Sequence, residues 1–109
     1  MAVTNPNVDA VLNASAATVI TTTTAQSVLV LKATASNNDN VIHNVSVWRV
    51  SATGQPANIN RIINAQPVPP GGAITLNLTG QTLINGQSFQ AAADVAGVVN
   101  FNCSYQLSQ

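Results

Sequence analysis

Charge is what this sequence has least of. Asp, Glu, Lys and Arg make up only 6% of its 109 residues, and glutamate is absent, against roughly 25% charged residues in ordinary soluble domains. The six charges, Asp9, Lys32, Asp39, Arg49, Arg61 and Asp94, sum to zero. Three scattered cations cannot neutralise a run of phosphates, which argues against nucleic acid as a partner. Three scattered aspartates supply neither the carboxylate pair of a glycosidase nor an oxygen cluster for a metal. With Cys103 as the only cysteine, no intramolecular disulfide can form, and synthesis in a cytoplasm fits best. No apolar run approaches the roughly 18 residues of a membrane span. Aromatic residues are scarce too, and Trp48 is the one ring large enough to stack on a sugar.

What is present is a hydrophobic fraction of 46%, enough for one domain with a single core. The surface must then be built from Asn, Gln, Ser and Thr, which fill 41 positions. Such a surface lacks the electrostatic repulsion that keeps soluble proteins apart. This favours ordered self-association or docking onto a large partner.

The opening stretch, MAVTNPNVDAVLNASA, does not read like the rest. It has no basic start, and Asn5, Pro6, Asn7, Asp9 and Asn13 interrupt any apolar run, so it fails as a signal peptide. One or two turns of helix fit the pattern, with Asn5 as cap, Pro6 at the first helical position and Val8, Val11 and Leu12 on one face. A helix this short needs a partner surface. Residues 1–17 are therefore expected to form an N-terminal arm that contacts another molecule through Val3, Pro6, Val8, Val11 and Leu12. The competing readings are a disordered tail or an edge strand added to the main domain.

From residue 18 the period becomes two. SVLVLKATA reads as a central strand, with Val28, Val30 and Lys32 on one face and Leu29, Leu31 and Ala33 on the other. ASNNDN is a turn, and VIHNVSVWRV sets Val45, Val47 and Arg49 opposite Ser46, Trp48 and Val50. NINRIINA is less regular, and the prolines of PVPPGG exclude a central strand. AITLNLT alternates with one wet face, and Asn85-Gly86 between extended runs predicts a hairpin. SFQAAADVA is ambiguous between helix and strand. Its extended neighbours favour a strand followed by a turn at Val95-Ala96-Gly97. VVNFNCSYQL has the cleanest alternation, with Val99, Phe101, Cys103, Tyr105 and Leu107 on one face. Seven or eight short strands with turns every 8–12 residues predict an all-β, antiparallel β-sandwich over residues 18–109.

Chemistry is sparse. Cys103 and His43 are the one conceivable nucleophile–base pair, but Cys103 reads as a small core residue and His43 as solvent-exposed beside a polar loop. Trp48, in an apolar strand, reads as core. ASNNDN has one carboxylate and no glutamate terminator, so it is turn chemistry and not a calcium loop. Gly71-Gly72 precedes a strand, not a helix, and makes no phosphate loop. Four Asn-x-Ser/Thr sequons, at Asn13, Asn44, Asn77 and Asn102, are what chance gives in so asparagine-rich a chain. Nothing calls for a cofactor, a metal or an enzymatic activity.

The second half, PVPPGGAITLNLTGQTLINGQSFQAAADVAGVVNFNCSYQL, has a distinctive cadence. A proline–Gly-Gly leads into a strand, an apolar pair, a turn, a second strand, an Ala-Gly turn and a final strand. In this it resembles a family of small bacteriophage virion proteins. The matching positions are Pro70, Gly71, Gly72, Leu76 and Leu78, then Leu83, Asn85, Gly86, Ala91, Ala93, Ala96, Gly97 and Val99. The family's usual Gly-Asp turn is replaced by Asn85-Gly86, and the likeness extends over about residues 18–107. The resemblance implies an Ig-like or jelly-roll-like sandwich located in the virion. Its expected role is a capsid decoration or cement protein, or a head–tail or fibre accessory. The partners expected are the major capsid protein or another virion protein, and further copies of the chain, with a trimer favoured. The alternative is a carbohydrate-binding or host-adhesion module in which Trp48 or Tyr105 faces a ligand.

Overall fold

The computed structural model describes residues 2–109. Its strands are, in chain order, β1 (Val3–Thr4), β2 (Asn7–Val11), β3 (Ala17–Thr21), β4 (Ser27–Asn37), β5 (His43–Val50), β6 (Arg61–Val68), β7 (Ala73–Leu76), β8 (Thr82–Ile84), β9 (Ser88–Ala93) and β10 (Val99–Ser108). A 3-10 turn, Asn58–Asn60, precedes β6. No helix among the described residues is long and apolar enough to cross a membrane.

The strands form two antiparallel sheets packed face to face. Sheet A runs β1-β10-β4-β7, with β2 beside β1 along β10 and β8 beside β7 along β4. Sheet B runs β3-β9-β5-β6. The inward face of each strand is apolar and alternates with a polar outward face, which places Val28, Val30, Val45, Val47, Phe89 and Phe101 in one continuous core. Each such side chain contributes roughly 1.5–3 kcal/mol of transfer free energy. The final strand keeps the alternation read from its sequence, with Val99, Phe101 and Cys103 buried and Tyr105 and Leu107 packed against the core. SFQAAA is a strand, and the prolines of PVPPGG fall at the end of edge strand β6 and in the turn after it.

Several sequence expectations are corrected. The helix drawn over residues 5–12 is strand β2, which pairs with β10 from Asn7↔Ser104 to Val11↔Asn100. Together with β1, it makes residues 3–11 part of sheet A, so the boundary between arm and domain at residue 17 does not separate two bodies. The ladder along β10 satisfies backbone groups that an isolated short helix would leave to water.

In β4, Leu31 is an extra residue opposite the Ser104/Tyr105 step, a β-bulge that shifts the register. The faces therefore exchange at Leu31-Lys32. Ala33 and Ala35 follow Val28 and Val30 inward, and Lys32 points out. β5 keeps its alternation from Val45 to Trp48, with Val45 and Val47 buried and Trp48 on the outer face of sheet B, while the register of β6 against it shifts on both sides of Val47.

The Asn85-Gly86 turn forms as expected, with φ of 55° and 82° and the Gln87 N–H donating to the Ile84 carbonyl at 3.0 Å. The strands it joins lie in different sheets, however: β8 pairs with β4, and β9 with β3 and β5. The turn passes the chain across the core and does not close a hairpin.

Candidate functional site

Three titratable side chains, Asp39, His43 and Asp94, gather at one end of the sandwich, where the β4–β5, β6–β7 and β9–β10 connections meet. Strand β4 ends in Asn37, an amide held in the buried interior. Its Nδ2 donates to the Val41 carbonyl at 2.7 Å and to the Val68 carbonyl at 3.1 Å, while its Oδ1 accepts the Asp39 N–H at 2.9 Å. The backbone adds further ties. The Asn38 N–H reaches the Val98 carbonyl, the Gly71 N–H the Asp39 carbonyl, and the Asp94 N–H the Asn44 carbonyl. Turn residues in ASNNDN thus cross-link three loops.

His43, at the start of β5, is 8% exposed and lies between two carboxylates. Its Nε2 is 2.8 Å from Asp39 Oδ2 and its Nδ1 3.0 Å from Asp94 Oδ1. The expectation of a solvent-exposed histidine is corrected, and two aspartates 55 residues apart in sequence are brought to one ring. The Asp39 hydrogen bond raises the histidine's pKa above its ordinary 6.5; desolvation opposes this, and Asp94 reinforces it. The Asp39 carboxyl is held below its usual range, chiefly by the His43 hydrogen bond and then by the Asn40 N–H. Only the imidazolium has a proton for each carboxylate; the neutral ring can donate to just one.

A pH dependence follows. Because His43 is raised, its contribution is complete below about 6.5 and is lost as pH rises through the elevated folded-state value. Because Asp39 is depressed, its contribution is present above about 3.8 and is lost as pH falls through the lower value. The loops should therefore be tightest between these limits. Amide exchange of residues 39–43 and 94–97 is expected to quicken on raising the pH from 6 to 9 beyond its intrinsic pH dependence. His43→Gln should remove that excess, and an identical profile in the variant would mean that the ring clamps nothing.

Both ring nitrogens are taken by carboxylates, so the imidazole has no free position from which to activate a nucleophile. The carboxylates flank the ring on opposite nitrogens and do not converge, and no metal-binding group of three or more His, Cys, Asp or Glu occurs among the described residues.

Cys103 is buried, its thiol directed at the Ser104 carbonyl at 3.6 Å and its pKa pushed by burial up to about 11. Relative to the ordinary 9.0, its thiolate fraction at pH 8 falls roughly 100-fold. Native protein should accordingly react with a thiol reagent at least that much more slowly than protein unfolded in urea. Equal rates would place the thiol at the surface.

The residues assigned to the arm are distributed differently. Leu12 is 2% exposed and belongs to the core. Val8 packs against that core, Pro6 is half-buried with its carbonyl accepting the Tyr105 N–H, and Val3 and Val11 remain exposed. Trp48, expected in the core, is half-buried on the outside of sheet B, with the Arg61 guanidinium 5.9 Å from the ring centroid. Arg61 is held there by Asn58 and by Asn64 Oδ1 at 2.9 Å. On the outer face of sheet A, Asn7, Asp9, Lys32, Thr34, Asn102 and Ser104 line a shallow depression of about 380 Å³.

Comparison with protein families, with characterised proteins and with solved structures finds no match to this chain.

Proposed function

We propose that this chain is a non-enzymatic virion structural protein of jelly-roll type, a decoration or cement component that binds and stabilises a shell. Its partner in this reading is the major capsid protein or another virion protein, with further copies of itself, a trimer among them. The strand order supports the jelly-roll form: β2-β10-β4-β7 faces β3-β9-β5-β6, the arrangement of two interleaved Greek keys used by capsid and lectin domains alike. Fold alone does not decide function.

The observation that carries the reading is the loop end. It is rigidly cross-linked, yet exposes three apolar side chains together, Val41, Ile42 and Val95. Preorganised apolar groups on a rigid frame are what a docking surface needs. The protein should co-sediment saturably with particles of the virus that encodes it and raise their disruption temperature by several degrees through mass action. Ile42→Ser together with Val41→Ser should weaken binding on the order of tenfold. Failure to bind, with the protein missing from purified particles by mass spectrometry, would end the proposal.

A second reading, a carbohydrate-binding or host-adhesion module, is favoured by the outward position of Trp48. Arg61 over one ring face leaves less of the indole for a sugar. A glycan that shifts the tryptophan emission and competes with particle binding would favour this second reading over the first.

A further inference from the structure

The ring of His43 joins two loops that are far apart in the chain. Its Nε2 faces Asp39 of the β4–β5 loop and its Nδ1 faces Asp94, the residue after β9. These two carboxylates are the charged groups that act on the ring among the described residues. Strand β6 meets His43 at Val68, and β9 meets the next inward position, Val45, at Ala93, so neither brings a titratable side chain to it.

With the ring protonated, each nitrogen donates to one carboxylate. Loss of a proton leaves a single N–H for two acceptors. The bare ring nitrogen then faces a carboxylate oxygen at hydrogen-bond distance with no proton to share, and that carboxylate withdraws to water. The two carboxylates are unequally held. Asp39 is the closer, at 2.8 Å against 3.0 Å. Its other oxygen accepts the Asn40 N–H at 2.8 Å, its own N–H donates to Asn37 Oδ1 at 2.9 Å, and its carbonyl accepts the Gly71 N–H at 3.0 Å. The Asp94 carboxylate is hydrogen-bonded to the ring alone among the described residues, and its side chain is 44% exposed. It heads a turn in which Val95, Ala96 and Gly97 are all exposed.

We infer that His43 is a pH-operated latch: protonated it holds both loops, and neutral it keeps Asp39 and lets go of Asp94, freeing the turn that carries Val95. The Asp39 hydrogen bond, reinforced by Asp94 and opposed by desolvation, holds the ring above its ordinary 6.5. The latch is therefore closed below that value and opens as the pH rises through the higher one. On opening, Val95 loses its fixed position relative to Val41 and Ile42, which lie between Asp39 and His43 in the chain. That these three side chains form a docking surface rests on the virion reading above; the latch does not.

Heteronuclear NMR of the full chain between pH 6 and 9 tests the latch on the wild type, whose single histidine makes the ring signals unambiguous. The neutral ring should carry its proton on Nε2. Over the same range the protection of the Asp94 and Gly97 amides, which donate to the Asn44 and Leu12 carbonyls, should fall about tenfold. That loss should exceed the loss at the Asp39 and Gly71 amides. Asp39→Asn should reverse the choice, because the one remaining carboxylate takes the neutral ring's proton at Nδ1, and the turn should stay held at pH 9. Asp94→Asn should abolish the response, since the introduced amide can accept from the protonated ring or donate to the bare Nδ1. A melting temperature at pH 6 close to that of wild type checks each variant's fold. A neutral wild-type ring protonated at Nδ1, equal losses at the two pairs of amides, or a turn that opens in Asp39→Asn as it does in wild type would each overturn the latch. Co-sedimentation with particles at pH 6 and 9 separates it from the docking reading. Binding that weakens at pH 9 in wild type but not in Asp94→Asn joins the two. Binding indifferent to pH beside a turn that opens removes this turn from the docking surface and leaves the latch in place.

Discussion

Deleting residues 2–12 is expected to unfold the sandwich, not to trim an appendage from it. Strand β2 covers one edge of β10 over five paired residues, and β1 covers the same edge further along. Behind that edge stand Phe101 and Cys103, and Leu12, at 2% exposure, closes the same end of the core. Its carbonyl accepts the Gly97 N–H and its own N–H donates to the Val99 carbonyl, so the segment also fixes the turn before β10. Truncating a buried leucine alone costs roughly 2–5 kcal/mol, a large part of the about 5–15 kcal/mol that holds a domain together. The deletion adds the loss of the β2 ladder and leaves β10 as a bare edge open to intermolecular pairing. Urea denaturation should show no cooperative transition for the truncated chain, or a strongly shifted one with aggregation on standing. Leu12→Ala in the full chain should lose about 2–4 kcal/mol with the m-value unchanged. A truncated protein that unfolds within about 1 kcal/mol of full length would restore the segment as an independent arm.

That segment shows how a pattern can be ambiguous for physical reasons. Val8, Val11 and Leu12 satisfy a helical spacing, but Val8 and Leu12 also face inward on a strand that steps into a turn after Val11. Seventeen residues of weak periodicity do not reveal that a long partner strand, β10, has a free edge waiting for them. Where one strand carries its own evidence, as in Val99 to Leu107, the alternation is enough, because burial on one face of a sheet imposes it. Where register changes within a strand it is not. The bulge at Leu31 is invisible in SVLVLKATA, since the extra residue is as apolar as its neighbours. Trp48's apolar context suggests the core, but its own alternation with the buried Val45 and Val47 already places it on the outer face, beneath Arg61.

The turn at Asn85-Gly86 carries a different lesson. Its dihedral preference is local and readable, but whether the chain then pairs with the strand it left or crosses to the other sheet depends on which edges are free. β4 takes β8, and β9 enters between β3 and β5. The Asp39–His43–Asp94 cluster is the extreme case. His43 and Asp39 are four residues apart and hint at contact, but Asp94 arrives only because β5 and β9 are neighbours, a fact of topology. No spacing rule in a single sequence connects residues 43 and 94.

Asn37 is expected to be the most sensitive polar residue in the molecule. Asn37→Ala should destabilise the protein by about 2–4 kcal/mol, because the Val41 and Val68 carbonyls lose their donor and the Asp39 N–H its acceptor at a site closed to water. A cavity the size of the lost amide adds to the cost. The damage should spread along the connections that Asn37 organises. Amides of residues 38–43, 71–72 and 94–98 should exchange faster, while those of β1 and β8, at the opposite end, should change only in step with global stability. Asn37→Asp is the sharper variant. It keeps the shape and the bond from the Asp39 N–H, but sets a carboxylate oxygen where the amide donated to two carbonyls. At neutral pH it should therefore be worse than alanine, since repulsion replaces a missing attraction. As the introduced carboxyl takes up a proton it regains one donor, so the deficit relative to wild type should shrink on acidification. The pH at which it does so should stand above the ordinary aspartate value, because its surroundings disfavour the charge. An alanine variant within about 0.5 kcal/mol of wild type, or an aspartate variant whose deficit ignores pH, would mean that the three loops are held by their backbone bonds alone. If both variants behave as expected, the rigidity of the exposed Val41, Ile42 and Val95 originates in one buried amide at the end of β4. If the loop end is the docking surface proposed above, loosening Asn37 should also weaken particle binding although its side chain is buried.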